Sequence, residues 1–192
     1  VREIHPRMGG DLAHDAAHDA LSDVQATIAL AKLIQTAQPK LFEFCLNLRD
    51  KNVVQKTIGW PYTRTAAPKP LIHVSGMFGA ERRFLAIVYP LAIHPVNKNE
   101  LIVWDLAQDI TPLSQLSTDE IRQRMFTSAD ELAGLGLSRL PIKTIHINKS
   151  PVVIAQLKTL NDTQAQACGV DWEVIEAHEA HAQAQFDALQ TI

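Results

Sequence analysis

The sequence predicts an α+β protein in which a helix comes first, an antiparallel β unit with inserted helices lies in the middle, and helices end the chain. Three observations support this prediction. Apolar residues recur at three- and four-residue steps before Pro39. Between residues 71 and 106, apolar runs alternate with turn residues, as is typical of strands. After Asn161 the pattern is helical again, with a stop at Gly169 and a restart near Asp171.

The first helix follows an irregular lead-in, residues 1–12. Asp19 is expected to cap it, and Pro39 ends it and can open a second short helix, LFEFCLNL. Apolar side chains cover much of its surface, and such a helix is usually buried within a larger body. We therefore expect this helix to be of the buried type. Its stepped apolar residues are Leu21, Val24, Ile28, Ala31 and Ile34.

The middle of the chain is predicted to form a sheet after a proline-rich loop at residues 59–70. The turn residues 96–99 separate two strands and predict an antiparallel hairpin, and Pro90 predicts an edge or a bulge. Ser117 and Glu120 form a capping box for an inserted helix. The strand-like segments are LIHVSGMFG, FLAIVYPLAIHP, ELIVWDL, IKTIHINK and PVVIAQL.

Charge is unevenly distributed along the chain. The net charge of −3 does not indicate a nucleic-acid binder. Residues 40–83, however, hold eight Lys or Arg against three acids, and residues 153–192 hold one Lys against six acids. The middle is therefore basic enough to meet phosphate.

Two isolated cysteines, Cys45 and Cys168, have no CxxC spacing and favour reduced thiols in a cytoplasmic protein. The sequence has no signal peptide and no twenty-residue apolar span. Because the first residue is Val, we expect the chain to be a fragment or a processed form.

The tetrapeptide AHDA occurs twice near the start and creates several candidate sites. His14 with Asp19 and His18 with Asp23 are both His-x4-Asp pairs. His14 and His18 also have the spacing of a helical zinc pair. His178-x2-His181 offers a second such pair, and neither pair has a cysteine or a clear third ligand. All of these can equally be solvated helix residues.

Four segments resemble one family, bacterial exodeoxyribonuclease I. HDALSDVQATIALAKL at 18–33 is similar to the last motif of DEDDh-type exonucleases. Three later segments are similar to the family's middle domain: HVSGMFGAERR at 73–83, LAIHPVNKNELIVWDLAQDITPL at 91–113 and HINKSPV at 146–152. The resemblance implies an SH3-like β-barrel between an exonuclease domain and a helical domain. It predicts that residues 1–37 are the end of the exonuclease domain, 38–160 the SH3-like domain, and 161–192 a helical tail.

The resemblance also implies an activity: 3′→5′ hydrolysis of single-stranded DNA in repair and recombination, with two Mg²⁺ ions. It assigns His18 as general base and Asp23 as metal ligand, because the residues after Asp19 do not continue the motif. The family's other carboxylates precede this motif. The Asp171-Trp172-Glu173 triplet follows it and looks like a helix start, so we do not assign it to the site. We therefore expect the chain alone to be inactive.

Binding residues follow from the same resemblance, since grooves for single strands combine cations with flat side chains. The DNA-binding candidates are Lys69, His73, Met77, Phe78, Arg82, Arg83, His146 and Lys149. The family also docks the acidic C-terminal tail of single-stranded DNA-binding protein, to which Phe44 and Lys69 could contribute. Two positions depart from the family: Glu81 replaces a common aromatic residue, and Asn161 replaces a basic one.

Simpler interpretations stand beside these. Met77, Phe78 and Phe44 can be packing residues, and Arg82 and Arg83 can be solvated. Two alternative functions also remain open: a non-catalytic module that binds single-stranded DNA or the partner tail, and a histidine-rich metal protein.

Overall fold

The computed structural model of the chain describes residues 20–62 and 66–185. It divides into two compact units, Val1–Asn47 and Leu48–Ile192. No helix in the described ranges combines the length and the hydropathy that a membrane crossing requires.

The first unit contains helix α1, Ala20–Ala37, and helix α2, Pro39–Asn47, which contact each other. Pro39 is the first residue of α2, as predicted, because a proline ring is tolerated in the first turn, where no intrahelical N–H bond is lost. The apolar face of α1 that the sequence analysis expected to be buried is largely exposed in this chain: Leu21 is 62% and Ile28 48% exposed. The expected cap, Asp19, lies outside the described residues.

The second unit is built on a five-stranded sheet. The strands are β1 (Leu71–Val74), β2 (Leu85–Ile93), β3 (Glu100–Asp105), β4 (Ile142–His146) and β5 (Val152–Ile154). They are arranged in the order β4-β3-β2-β1-β5, and every neighbouring pair is antiparallel. The predicted antiparallel β unit is confirmed.

The predicted hairpin joins β2 and β3. Its turn is closed by the Glu100 N–H, which donates to the Asn97 carbonyl at 3.0 Å. The pairing register shifts between Pro90 and Ala92, so the predicted bulge is confirmed. A proline lacks the N–H that a regular ladder needs, which explains why the irregularity falls there.

The sheet is curled because its two edge strands, β4 and β5, are consecutive in the chain. In a flat five-stranded sheet, edges lie about 19 Å apart, four times the strand spacing of about 4.8 Å. The linking residues 147–151 begin with a turn, in which the Lys149 N–H donates to the His146 carbonyl, and this shortens their reach. Residues of β1 and β4, which are not neighbours in the sheet, accordingly line one cavity.

Helices surround this sheet. They are α3 (Lys51–Ile58), α4 (Pro112–Gln115), α5 (Thr118–Phe126), α6 (Ala129–Gly134), α7 (Asp162–Ala167) and α8 (Trp172–Ala184), with 3₁₀ turns at Ala80–Arg82 and Leu157–Thr159. The capping box of Ser117 is confirmed at α5. Gly169, at φ 68°, separates α7 from α8, and the Asp171 side chain caps α8, as the sequence predicts.

Three short helices, α3, α4 and α6, were missed by the sequence analysis. Helix α3 is capped by the Asp50 side chain and ends at Gly59, whose φ of 74° suits glycine. Helix α6 carries a second capping box, formed by Ser128 and Glu131. Helices α3 and α6 are short, and their sequence signal lies in their caps rather than in apolar periodicity.

The core lies against the central strands. All but the first residue of β3, and six successive residues of β2, are buried. Trp104 and Tyr89 are the largest fully buried side chains, and Ile175 of α8 joins the same cluster. Since both faces of these two strands are covered, the solvent-facing side chains of the sheet lie mainly on its edge strands and in its turns.

Candidate nucleic-acid interface

Four of the predicted DNA-binding residues meet at a cavity of about 330 Å³. This β1–β4 cavity lies where the ends of β1 and β4 approach the start of β5. It brings together residues from segments that are 70 positions apart in the chain. Its lining consists of His73, Val74, Ser75, Met77, Thr144, Ile145, His146, Lys149, Ser150, Pro151 and Val152.

His73 forms the inner wall of this cavity. It is only 4% exposed, and its Nδ1 lies 3.0 Å from the Val152 carbonyl oxygen. Because a carbonyl only accepts, Nδ1 carries the proton in this bond. Burial lowers the pKa of His73, and the bond to Val152 opposes that shift in part. The imidazole is therefore held neutral and ties β1 to β5.

The rim of the cavity is accessible. Met77 is 46% exposed, and Lys149 is exposed on the linking segment. His146 Nδ1 lies 3.5 Å from Glu100 Oε1, so a protonated His146 would form an ion pair there. The rim thus offers the Lys149 cation, the His146 imidazole ring and the polarisable, apolar side chain of Met77.

Phe78 and Arg82 both make contacts within the fold, and their predicted contact with DNA stays a prediction. Phe78 is 3% exposed, and the Arg82 guanidinium lies 5.5 Å from its ring centroid. Arg82 also donates two hydrogen bonds to Asp105, of which the Nη2–Oδ1 bond is 3.1 Å long. That bidentate pair raises the pKa of Arg82 and occupies the charge that a phosphate would need.

Arg83 is placed differently from Arg82. Arg83 and Phe84 have positive φ values of 52° and 60°, so the backbone turns sharply after the 3₁₀ turn. The Phe84 N–H donates to the Gly79 carbonyl and fixes this turn. Both side chains are exposed, although neither lines the β1–β4 cavity.

A second cavity, of about 440 Å³, lies on the other side of Met77 and was missed by the sequence analysis. We call it the basic groove, because Arg124, Arg139 and Lys143 line it. These residues come from α5, the loop before β4, and β4 itself. The lining is Met77, His94, Glu100, Arg124, Met125, Phe126, Arg139, Leu140, Ile142, Lys143 and Thr144.

A third, mainly apolar cavity of about 640 Å³ has Lys69 in its lining. Gln183 also lines it and donates to Glu179 at 2.9 Å. Burial raises the pKa of Glu179, and Lys69 opposes that shift. Phe44, the other residue predicted to bind a partner, belongs to the first unit. The lining is Thr57, Ile58, Gly59, Tyr62, Ala66, Ala67, Pro68, Lys69, Leu71, Ala155 and Gln183.

The structure describes only one residue of the predicted catalytic pair. Asp23 lies on an exposed turn of α1, and His18 lies outside the described residues, as do His14 and Asp19. Within residues 20–62 and 66–185, no three His, Cys, Asp or Glu side chains are grouped so that they could hold a metal ion. The described residues by themselves therefore do not fit a two-metal centre.

His178 and His181 have packing roles. His178 Nδ1 lies 2.8 Å from the Leu106 carbonyl oxygen, and His181 Nε2 lies 3.1 Å from Ser114 Oγ. Each ring is thus bonded to the segment that follows β3 rather than paired with the other. This arrangement gives no support to a zinc site on α8.

Comparison of the sequence with known proteins relates this chain to one family. The family model of the exonuclease I SH3-like domain matches residues 49–192. The chain is 42% identical over 179 residues to exodeoxyribonuclease I of Haemophilus influenzae, covering 93% of this chain and 37% of that protein. Against exodeoxyribonuclease I of Escherichia coli it is 43% identical over 167 residues, covering 87% and 34%. The chain thus spans about a third of the length of these relatives.

Solved structures of exonuclease I also match the fold of this chain. The zinc-bound crystal structure of the E. coli exonuclease I–single-stranded DNA complex superposes with a TM-score of 0.78 at 40% identity, covering 92% of this chain and 36% of that one. A moderately thermophilic exonuclease I from Methylocaldum szegediense gives a TM-score of 0.80 at 36% identity, covering 91% and 36%. The resemblance noted from the sequence, and the SH3-like class of the sheet, are confirmed.

The contrast between Arg82 and Arg83 is testable. Arg82→Ala should lower the free energy of unfolding by about 3 kcal/mol, because it leaves the nearly buried Asp105 carboxylate without its cation. Arg83→Ala, which removes an exposed charge, should change it by less than about 0.5 kcal/mol. Urea denaturation followed by tryptophan fluorescence measures both. Equal effects of the two substitutions would contradict the structural role of Arg82.

Proposed function

Because this chain belongs to the exonuclease I SH3-like domain family, we propose that it is part of a 3′→5′ exodeoxyribonuclease acting on single-stranded DNA in repair and recombination. Its own share in that enzyme is to bind the strand. The observation that carries the proposal is the β1–β4 cavity, where the exposed Lys149 and Met77 and the half-buried His146 lie around the buried His73. Several similar solved structures from E. coli are complexes with single-stranded DNA.

The chemistry of the rim suits a single strand. Lys149 supplies a cation for phosphate, and a protonated His146 would supply a second. Met77 offers an apolar, polarisable surface to a base. His73 acts indirectly, since its bond to Val152 holds β5 and the linking segment in position. Arg83 and Lys69 are exposed cations that do not line the cavity, and we retain them as further candidates for phosphate contacts.

Catalysis is a separate part of the proposal. His18 would act as general base and Asp23 as a metal ligand, and bound Mg²⁺ ions would stabilise the charge that develops on the phosphate. We propose that the 192-residue chain alone does not cleave DNA, because a two-metal centre needs further carboxylates. The same proposal places the protein in the cytoplasm, in keeping with its free cysteines Cys45 and Cys168.

A second candidate function is docking of an acidic, apolar peptide, such as the tail of single-stranded DNA-binding protein. The observation in its favour is the apolar cavity with Lys69 in its lining. A cation beside an apolar pocket matches a terminal carboxylate next to an apolar side chain. Phe44 is retained as a further candidate for this partner.

DNA binding can be measured by the fluorescence anisotropy of labelled oligo-dT. The unaltered chain should bind weakly, and its affinity should fall steeply as salt increases. Lys149→Ala should lower the affinity several-fold at low salt and reduce the slope of log K against log salt by about 0.7, the value for one phosphate contact on a single strand.

Lys158→Ala is the matched control, since Lys158 is an exposed lysine outside the cavity. It removes the same charge and should leave the slope unchanged. An affinity that ignores salt, or equal effects of the two substitutions, would argue against phosphate binding at the cavity rim.

Cleavage is tested on the same oligonucleotide, labelled at its 5′ end. Incubation of the purified chain with Mg²⁺ should leave the length distribution of the DNA unchanged. Processive shortening from the 3′ end that is lost in Asp23→Asn would show that the chain is active alone and would refute this part of the proposal.

Peptide docking is tested with a synthetic acidic peptide that ends in an aromatic residue and a free carboxylate. Lys69→Ala should weaken binding about fivefold to tenfold, as expected for the loss of one exposed hydrogen bond worth about 1 kcal/mol. Amidation of the peptide terminus should have a similar effect on the unaltered chain and little further effect on Lys69→Ala. If the losses of affinity caused by Lys69→Ala and by amidation add together, the peptide carboxylate binds elsewhere.

A further inference from the structure

The third cavity, which we call the Lys69 cavity, is lined mainly by apolar residues. Among the described residues that line it, Lys69 is the only charged one. Another lining residue, Gln183, belongs to α8, which also contains the acids Glu173, Glu176 and Glu179. The positive charge that the cavity offers to a ligand therefore depends on how these acids act on Lys69.

Glu179 is joined to the cavity lining by a hydrogen bond. The Gln183 side-chain amide donates to the Glu179 carboxylate at 2.9 Å. The two residues are four positions apart and so lie on the same face of α8. The Lys69 charge acts on this carboxylate, since it opposes the rise in the pKa of Glu179. Because the interaction of two charges is mutual, Glu179 in turn offsets the charge of Lys69.

The surroundings of Glu179 disfavour its charged form. Burial raises the pKa of Glu179, and the carboxylate of Glu176 raises it further. The Glu179 charge also acts on Tyr89 of β2, since burial and, to a smaller extent, this charge raise the pKa of Tyr89 to about 12. The Tyr89 hydroxyl is buried and has no hydrogen-bond partner among the described residues, so it does not stabilise the carboxylate.

The histidines of α8 do not compensate for this. His178 and His181 are hydrogen-bonded to the segment that follows β3. Within the described ranges, the charge that favours ionised Glu179 comes from Lys69. Lys69 and Glu179 thus form a pair of opposite charges beside the cavity.

This pair responds to pH in a definite order. Because its pKa is raised, Glu179 becomes neutral at a higher pH than an ordinary glutamate does. The terminal carboxylate of a peptide, with an ordinary pKa of about 3.5, is still charged at that pH, and lysine ammonium groups stay protonated. There is therefore a pH range in which Glu179 no longer offsets Lys69 while an acidic ligand keeps its charge.

We propose that Glu179 restricts docking at the Lys69 cavity, because its carboxylate competes with the terminal carboxylate of an acidic peptide for Lys69. Protonation of Glu179 removes the competition, so docking strengthens as the pH falls. This inference rests on the proposed docking function and adds a residue that sets its strength and pH range. Loss of charge from the peptide alone would have the opposite effect, since it would weaken docking at low pH.

The test uses Glu179→Gln, which removes the charge and retains an acceptor for the Gln183 amide. The probe is the synthetic acidic peptide with a free terminal carboxylate, and its affinity is measured by fluorescence anisotropy. At about pH 7.5, Glu179→Gln should bind it about threefold more tightly than the unaltered chain does, within the range for one partly exposed pair of charges. An equal or lower affinity of Glu179→Gln would overturn the inference.

The pH dependence gives a second measurement. Between about pH 7.5 and pH 5.5, above the ordinary pKa values of peptide carboxylates, the affinity of the unaltered chain should approach that of Glu179→Gln. Histidines titrate in the same range, but both proteins contain them, so the ratio of the two affinities isolates Glu179. A ratio that stays constant over this range would contradict the role of protonation.

Glu173→Gln is the matched control, since Glu173 is an exposed acid of α8 that does not line the cavity. It should bind the peptide as the unaltered chain does at both pH values. Glu179→Gln should unfold at no lower temperature than the unaltered chain near neutral pH, because a raised pKa means that the charged carboxylate lowers stability there.

A double-mutant cycle shows whether Glu179 acts through Lys69. In the Lys69→Ala background, Glu179→Gln should no longer strengthen binding. If it does so to the same extent, Glu179 repels the peptide directly and the competition for Lys69 is wrong.

Failure of this inference is distinguishable from failure of the docking function. If Lys69→Ala weakens peptide binding while Glu179→Gln behaves as Glu173→Gln does, the docking site stands and the role of Glu179 is wrong. If neither the unaltered chain nor Glu179→Gln binds the peptide, the docking function and this inference are both overturned.

Discussion

The second unit depends on one constraint: the chain must pass from one edge of the sheet to the other within residues 147–151. This short link draws β4 towards β5 and curls the sheet. The buried side chain of His73 stabilises this arrangement, because its hydrogen bond joins β1 to β5 beside the link. The β1–β4 cavity follows from this curl, and the basic groove adjoins that cavity at Met77 and Thr144. Lys149 is placed by the link, and His146, the last residue of β4, is placed by its pairing with Glu100 of β3.

Much of the fold is visible in the sequence because its elements are governed by local rules. Alternating apolar residues, the turn before Glu100 and the bulge at Pro90 all depend on neighbours within a few positions. Helices α3 and α6 were missed because each has fewer than nine residues and too little periodicity to be detected. Their caps, Asp50 and Ser128, carried the signal that could have located them.

The binding surfaces are less visible, because tertiary contacts decide which charges are free. Arg82 and Arg83 are neighbours in the sequence, yet Asp105 neutralises only the first. The cations of the basic groove, Arg124, Arg139 and Lys143, lie outside the basic region at 40–83, so the charge count of that region did not include them. The resemblance to the family pointed to the segments containing Met77, His146 and Lys149, and the fold brings these three residues together.

The burial of most residues in the two central strands has a consequence for how this domain can diverge. Buried residues in β2 and β3 determine stability, whereas the exposed side chains of Met77, Lys149 and Phe126 contribute little to the core. Substitutions at the binding surfaces are therefore nearly free of folding cost. Exposed positions of this domain can therefore vary on an unchanged core. The replacement of an aromatic residue by Glu81, on an exposed turn, fits this freedom.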